Sequence, residues 1–173
     1  MKNKDLTYGL GTQDLGEATA PCCSAAPRSD PSSHRFGPYT PGVPPVTRFE
    51  DLTTWQRARE LGKAVSAATE RPPFRHHWKF RDQVLSAAMS IMSNIAEGFD
   101  RGRRAEFTSL SVAKGSTAEL RSQLCFVFDA GLLDEGEFRA LVELSLEVTR
   151  LTAAMRKAVQ RQRDEQTRRP SNS

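Results

Sequence analysis

The chain has 173 residues and a mass of 19.2 kDa, room for one domain of ordinary size or for one domain and a tail. Apolar residues make up 38% and charged residues 27%, with a mean hydropathy of -0.55; this is low for a compact globule, so part of the chain is expected not to fold. A net charge of +4, from 25 basic and 21 acidic residues, is too small to announce a nucleic-acid binder, which leaves the distribution of charge as the informative quantity.

Three cysteines, two of them adjacent (Cys22, Cys23), exclude a disulfide framework and lack zinc-site spacing. No run of about 18 apolar residues exists to span a membrane. Lys2 and Lys4 are followed by polar sequence rather than an apolar signal core. A soluble, cytoplasmic protein without cofactor is expected.

Seven of the ten prolines and five of the eleven glycines precede residue 49, and apolar residues there show no period. Such a segment buries too little surface to offset about 1–2 kcal/mol per residue of backbone ordering entropy. Residues 1–48 are therefore expected to be a disordered extension. From Phe74 to Arg169 there are 96 residues without proline, carrying a persistent apolar repeat of three and four.

Four helices are predicted, making a bundle over residues 49–163. The first runs from about 51 to 69, with Asp51 as N-cap and Leu52, Trp55, Ala58, Leu61, Val65 and Ala68 on one face; Pro72-Pro73 follows it. The second runs from about 77 to 97, striped by Phe80, Val84, Ala87, Ala88, Ile91 and Ile95, with Gly98 and Gly102 bracketing a turn. The third covers 104–130, with Phe107, Leu110, Ala113, Thr117, Leu120, Leu124 and Val127 in phase and Gly131 as its C′ residue. The fourth covers 135–163 and opens on a capping box, Asp134 to Glu137; residues 164–173 are expected to be a basic, disordered tail. Helices of about 28–42 Å joined by short turns pack antiparallel. The expected fold class is all-α: an up-down-up-down four-helix bundle.

Helix 2 carries a second apolar row, Leu85, Met89, Met92, Ala96 and Phe99, and helix 3 carries Val112, Phe126 and Phe128 off its main stripe. A broad core face and an oligomer interface both fit this surplus. Homo-oligomerisation is the expectation adopted, with Leu85, Met89, Met92 and Phe99 at the interface.

Catalytic chemistry finds little support. His34, His76 and His77 leave helices 3 and 4 without histidine, so a di-metal bundle site is excluded. Cys125, between Leu124 and Phe126, is expected to be a buried, inert thiol. No serine elbow, Ser-x-x-Lys pair or phosphate loop is present. No enzymatic activity and no metal are expected.

Ser90, Asn94 and Glu97 follow one another at helical spacing within apolar sequence, and Arg101 continues the line. Both a structural hydrogen-bond network and a polar contact surface fit that row. Basic residues gather in three places. The first holds Arg71, Arg75, Lys79 and Arg81. The second is Arg101, Arg103 and Arg104, beside the open amides at the start of helix 3. The third, with Arg156, Lys157, Arg161 and Arg163, sets seven cations against two acids over the last 24 residues. With helix 4 no longer than its neighbours, the second and third clusters are expected at opposite ends of the bundle. Each cluster suits either solvation or phosphate binding without base readout.

The segments Ser90-Ile91-Met92-Ser93-Asn94-Ile95-Ala96-Glu97-Gly98-Phe99, Arg101-Gly102, Glu106-Phe107, Ala113-Lys114-Gly115-Ser116, Glu119-Leu120 and Gln123-Leu124, together with Phe49-Glu50-Asp51-Leu52, Trp55-Gln56 and Ala58, resemble a bacterial four-helix bundle family that includes proteins encoded in intervening sequences of 23S ribosomal RNA genes. The resemblance covers about residues 49–158. That family is similar in fold to the accessory proteins of diversity-generating retroelements, basic pentamers that bind a reverse transcriptase and nucleic acid. The resemblance implies a homo-oligomer, a pentamer by that likeness, with no established enzymatic activity. Two departures stand out: Leu85-Ser86 replaces a frequent arginine pair, and the stretch from Glu106 to Ala113 is one residue short, which would rotate that part of helix 3 by about 100°.

The sequence thus leads to a non-enzymatic homo-oligomer binding nucleic acid, RNA more than DNA, through Arg75, Lys79, Arg81, Arg101, Arg103, Arg104, Lys114, Arg156, Lys157 and Arg161. The alternative is a protein–protein adaptor, for example to a reverse transcriptase, with nucleic acid incidental.

Overall fold

Four helices follow one another in the order that the apolar repeat predicts: α1 (Thr53–Thr69), α2 (Trp78–Arg101), α3 (Arg103–Asp129) and α4 (Glu135–Arg168). Short 3-10 turns, Phe49–Asp51 and Phe74–His76, precede α1 and α2. The computed structural model describes residues 46–101 and 103–168, and among these there is no β-strand. Residues 1–45 of the expected extension and 169–173 of the expected tail lie outside the described residues.

Each helix packs on the helices before and after it in sequence, and α1 closes the ring against α4. The main stripes meet in one core of Ala58, Leu61, Val65, Val84, Ile91, Ile95, Leu110, Leu120, Leu124, Val127, Leu141 and Val148, among others. Leu110, Ala113 and Thr117 keep their phase within an unbroken α3, so the one-residue shortening before Ala113 leaves the core register intact.

Local signals account for the end of α3 and the start of α4. Gly131 takes φ +71°, where a Cβ would be strained. Its N–H donates to the Phe128 carbonyl at 2.9 Å and that of Leu132 to Val127 at 2.9 Å, a Schellman closure that occupies the last carbonyls of α3. The α4 box forms reciprocally: Glu137 N–H donates to Asp134 Oδ1 at 2.8 Å and Asp134 N–H to Glu137 Oε2 at 3.2 Å.

Three boundaries differ from expectation. Asp51 does not cap α1; it ends the 3-10 turn, and Leu52 occupies the N-cap position without a side-chain bond. Helix α2 runs through Gly98 to Arg101. A Cβ at Gly98 would lie 3.3 Å from Glu106 Cα and 3.3 Å from Ser109 Cβ, so this glycine serves the close approach of α2 to α3 rather than a turn. Helix α4 continues to Arg168, beyond the expected end at 163. Val46 and Phe49 also pack against the core, placing its edge just before residue 49.

One polar clamp ties α1 to α4. Arg57 Nε donates to Glu147 Oε1 at 2.8 Å and its Nη2 to Oε2 at 2.5 Å, a bidentate pairing with paired geometry that a lysine lacks. These hydrogen bonds hold the Glu147 carboxyl below its ordinary range, against a smaller opposing effect of desolvation. A carboxyl lowered in the folded state stabilises above its unfolded pKa and loses that contribution as pH falls through the folded value. The urea midpoint of the native protein should therefore exceed that of Glu147→Gln at neutral pH, with the gap closing in acid. A gap independent of pH would contradict the clamp.

Candidate nucleic-acid interface

Alternating helix direction decides where the basic clusters lie. Arg71, just beyond the end of α1, pairs with Glu137 in the first turn of α4, marking one end of the bundle. At the other end, Phe107 in the early turns of α3 meets Arg156 and Arg163 of α4. The start of α3 and the C-terminal half of α4 therefore share an end, contrary to the expectation that separates them: the single reversal between α3 and α4 brings the chain back to the level of the α2–α3 turn. The 34-residue α4 also outruns the 17-residue α1. It continues 21 residues past Glu147, the partner of Arg57, or about 30 Å at 1.5 Å per residue.

Arg101, Arg103 and Arg104 thus stand at the same end as Arg156, Lys157, Arg161 and Arg163. The side chains of Arg103 and Arg104 lie outside the described residues; Arg103 is the first residue of α3. Arg75, Lys79 and Arg81 are at the opposite end, on the 3-10 turn before α2 and on the first turn of α2. Lys114 is exposed on α3. Nine of the ten predicted contacts therefore divide between two ends, and Lys114 lies midway along α3 between them.

Arg156 is the best organised of the basic groups. Its Nε donates to Ser111 Oγ at 2.9 Å, and its guanidinium carbon lies 4.2 Å from the centroid of Phe107. Arg163, two turns on, lies 5.2 Å from the same ring. Ring and hydroxyl orient Arg156 while the charge stays unneutralised. Among the described residues Arg156, Lys157, Arg161 and Arg163 have no carboxylate partner. Lys157 and Arg161 are exposed.

Other cations are partly neutralised. Arg101 pairs with Glu97 at 2.7 Å and Arg81 with Glu70 at 3.5 Å. Sequence reasoning missed Ser111 as a support and read Phe107 only as core. The available signal was the pairing of Phe107-x3-Ser111 on one helix with Arg156-x6-Arg163 on another, each pair sharing a helix flank.

The polar row of α2 divides. Ser90 Oγ and Ser116 Oγ of α3 are 2.9 Å apart, and Asn94 Nδ2 donates to the Ser90 carbonyl at 2.8 Å. The Ser90–Ser116 contact bridges α2 and α3, and Asn94 braces Ser90 from within α2. Glu97 turns instead to Arg101.

The expected interface row also divides. Phe99, 4% exposed, belongs to the protomer core, because α2 does not stop at Gly98 and keeps its ring on the inner face. Leu85 and Met92 are half-buried against that core. Met89 is 65% exposed, and Val112 and Phe126 are exposed on α3. Cys125 is exposed, which corrects the expectation of a buried thiol: Leu124 faces inward, and the next residue lies 100° round the helix. Among the described residues no group of three His, Cys, Asp or Glu side chains is placed to hold a metal ion. None of their helices is long and apolar enough to cross a membrane.

The fold has a solved counterpart. A protein of unknown function from the S23 ribosomal protein family of Bacteroides thetaiotaomicron is similar at a TM-score of 0.57 and 17% identity, over 62% of this chain and 98% of that one. No curated protein matches. The family model for the 23S rRNA-intervening sequence protein matches residues 50–154, from the turn before α1 to the stretch of α4 just ahead of Arg156. The chain belongs to the 23S rRNA-intervening sequence protein family.

Proposed function

We propose that this protein is a non-enzymatic, homo-oligomeric bundle that binds nucleic acid, RNA above all, through the end where the start of α3 meets the C-terminal half of α4. The observation that carries this reading is Arg156, oriented by Ser111 and Phe107 and lacking a carboxylate partner among the described residues. A guanidinium fixed in this way presents paired donors to a phosphate with little further loss of side-chain freedom. Lys157, Arg161 and Arg163 add charge along the same stretch, and the opening amides of α3 add the positive end of a helix dipole. Such groups recognise the backbone rather than base sequence.

Association of copies would bring several such ends into one field and raise affinity beyond that of a single protomer. Exposed Met89 and Val112, on the neighbouring helices α2 and α3, support self-association. Binding to a structured RNA should weaken steeply as salt rises, with a slope of log affinity on log salt of about -0.7 to -0.9 per phosphate contacted. Light scattering on the same sample should return a multiple of the 19.2 kDa chain mass. Affinity insensitive to salt would contradict the electrostatic mechanism, and a monomer at micromolar concentration would contradict assembly.

A further inference from the structure

A second feature lies at the other end of the molecule. The start of α2 and the last turns of α3 enclose an open cleft of about 330 Å³ lined by Phe80, Gln83, Val84, Ser122, Gln123, Phe126 and Val127. That volume is at the small end of ligand sites and admits one planar ring. Three rings run beside it: His77 stacks on Phe80 with centroids 6.1 Å apart, and Phe80 meets Phe126 edge-to-face at 5.1 Å. Phe126 is 56% exposed, although it borders the core through Val127.

The polar lining has a defined sense. Gln123 Nε2 donates to Glu119 Oε1 at 3.1 Å. An ionised carboxylate only accepts, so this contact assigns the amide and leaves Gln123 Oε1 as an acceptor. That oxygen is buried and has no hydrogen-bond partner among the described residues, a deficit that a donor on a ligand would remove. Lys79 precedes Gln83 by one turn on α2, and Arg75 sits in the preceding 3-10 turn. Neither has a carboxylate partner among the described residues.

We propose that this cleft receives an unpaired, amino-bearing base from a nucleic-acid strand. Phe126 and Phe80 supply the apolar surface against which the base stacks, Gln123 Oε1 accepts from its exocyclic amine, and Lys79 and Arg75 face the adjoining phosphates. Aromatic surface combined with cations is the usual arrangement for holding single strands. An acceptor facing the C4 substituent favours cytosine, whose N4–H donates to it, over uracil, whose O4 at that position only accepts and whose one donor on that edge, N3–H, is flanked by two carbonyls. The inference rests on the RNA-binding reading for its ligand, but it predicts a base preference that backbone contacts alone do not produce.

The test compares the hexanucleotides rC6 and rU6 on the full-length chain by fluorescence anisotropy. The native protein should bind rC6 at least tenfold more tightly than rU6. Gln123→Met and Phe126→Ala should each bring that ratio close to one. Replacing Arg156, Lys157 and Arg161 with alanine, at the opposite end from the cleft, should weaken binding of a structured RNA and leave the rC6-to-rU6 ratio intact, which separates failure of the basic end from failure of the cleft. Should Phe126→Ala unfold by circular dichroism, Gln123→Met alone decides. Equal binding of rC6 and rU6 to the native protein, or a ratio unchanged by Gln123→Met, overturns the proposal. So does CMP binding as tightly as rC6, which would mark a free-nucleotide site, or indole displacing rC6 at equal concentration, which would mark a slot for a protein's aromatic side chain.

Discussion

Gly98→Val should destabilise the bundle by about 1–3 kcal/mol, the usual cost of forcing extra carbons into a packed interior. Even the first added carbon lies 3.3 Å from both Glu106 Cα and Ser109 Cβ, and valine adds two more beyond it. The nearest obstacle is the backbone of α3, which cannot rotate aside as a side chain does. The α2–α3 pair must therefore spread, loosening Ile95 and Leu110, both fully buried. The better helix propensity of valine returns only a few tenths of a kcal/mol. The melting temperature should fall by roughly 5–10 °C. Gly62 provides the comparison, because a Cβ there meets Met92 Sδ at 3.2 Å, part of a flexible side chain that yields. Gly62→Val should therefore cost clearly less. Equal melting of Gly98→Val and the native protein would show that the two helices do not approach so closely.

The same glycine shows where sequence reasoning stops. Periodicity reveals each core stripe because burial repeats with the helical turn, and the capping box and Gly131 announce themselves through local chemistry. Gly98 is ambiguous by nature: absence of a side chain suits a helix end and a close crossing equally, and only the partner helix decides between them. Reading it as an end also misassigned Phe99, since the inward direction of that ring requires α2 to continue. Cys125 was misread from its apolar neighbours, although adjacency along a helix opposes faces rather than sharing one. The basic clusters were individually legible as charge. Their grouping depended on helix direction, and the support of Arg156 by Ser111 depended on a contact between residues 45 positions apart.

Replacing Arg156, Lys157 and Arg161 together with alanine should weaken RNA binding by about 100-fold near 0.1 M salt. Three phosphate contacts are lost, each worth about 0.7 in the slope of log affinity on log salt. The summed change of about 2 corresponds to about two decades between 1 M and 0.1 M salt. The salt titration therefore carries more information than a single affinity: the slope should become shallower by about 2, and the native and variant lines should converge toward 1 M. Lys157 and Arg161 are exposed, so their removal leaves the core intact. Arg156 also covers Phe107, and Arg156→Lys isolates that role, retaining the charge but losing the planar stack and paired donors. It should bind between the native protein and the triple variant, with nearly the native salt slope. Arg59 and Lys63, exposed on α1, offer a control of similar charge, and their double alanine variant should change affinity less than threefold. Equal losses in the control and the triple variant would mean that overall charge governs binding, leaving no special place for the end organised around Phe107.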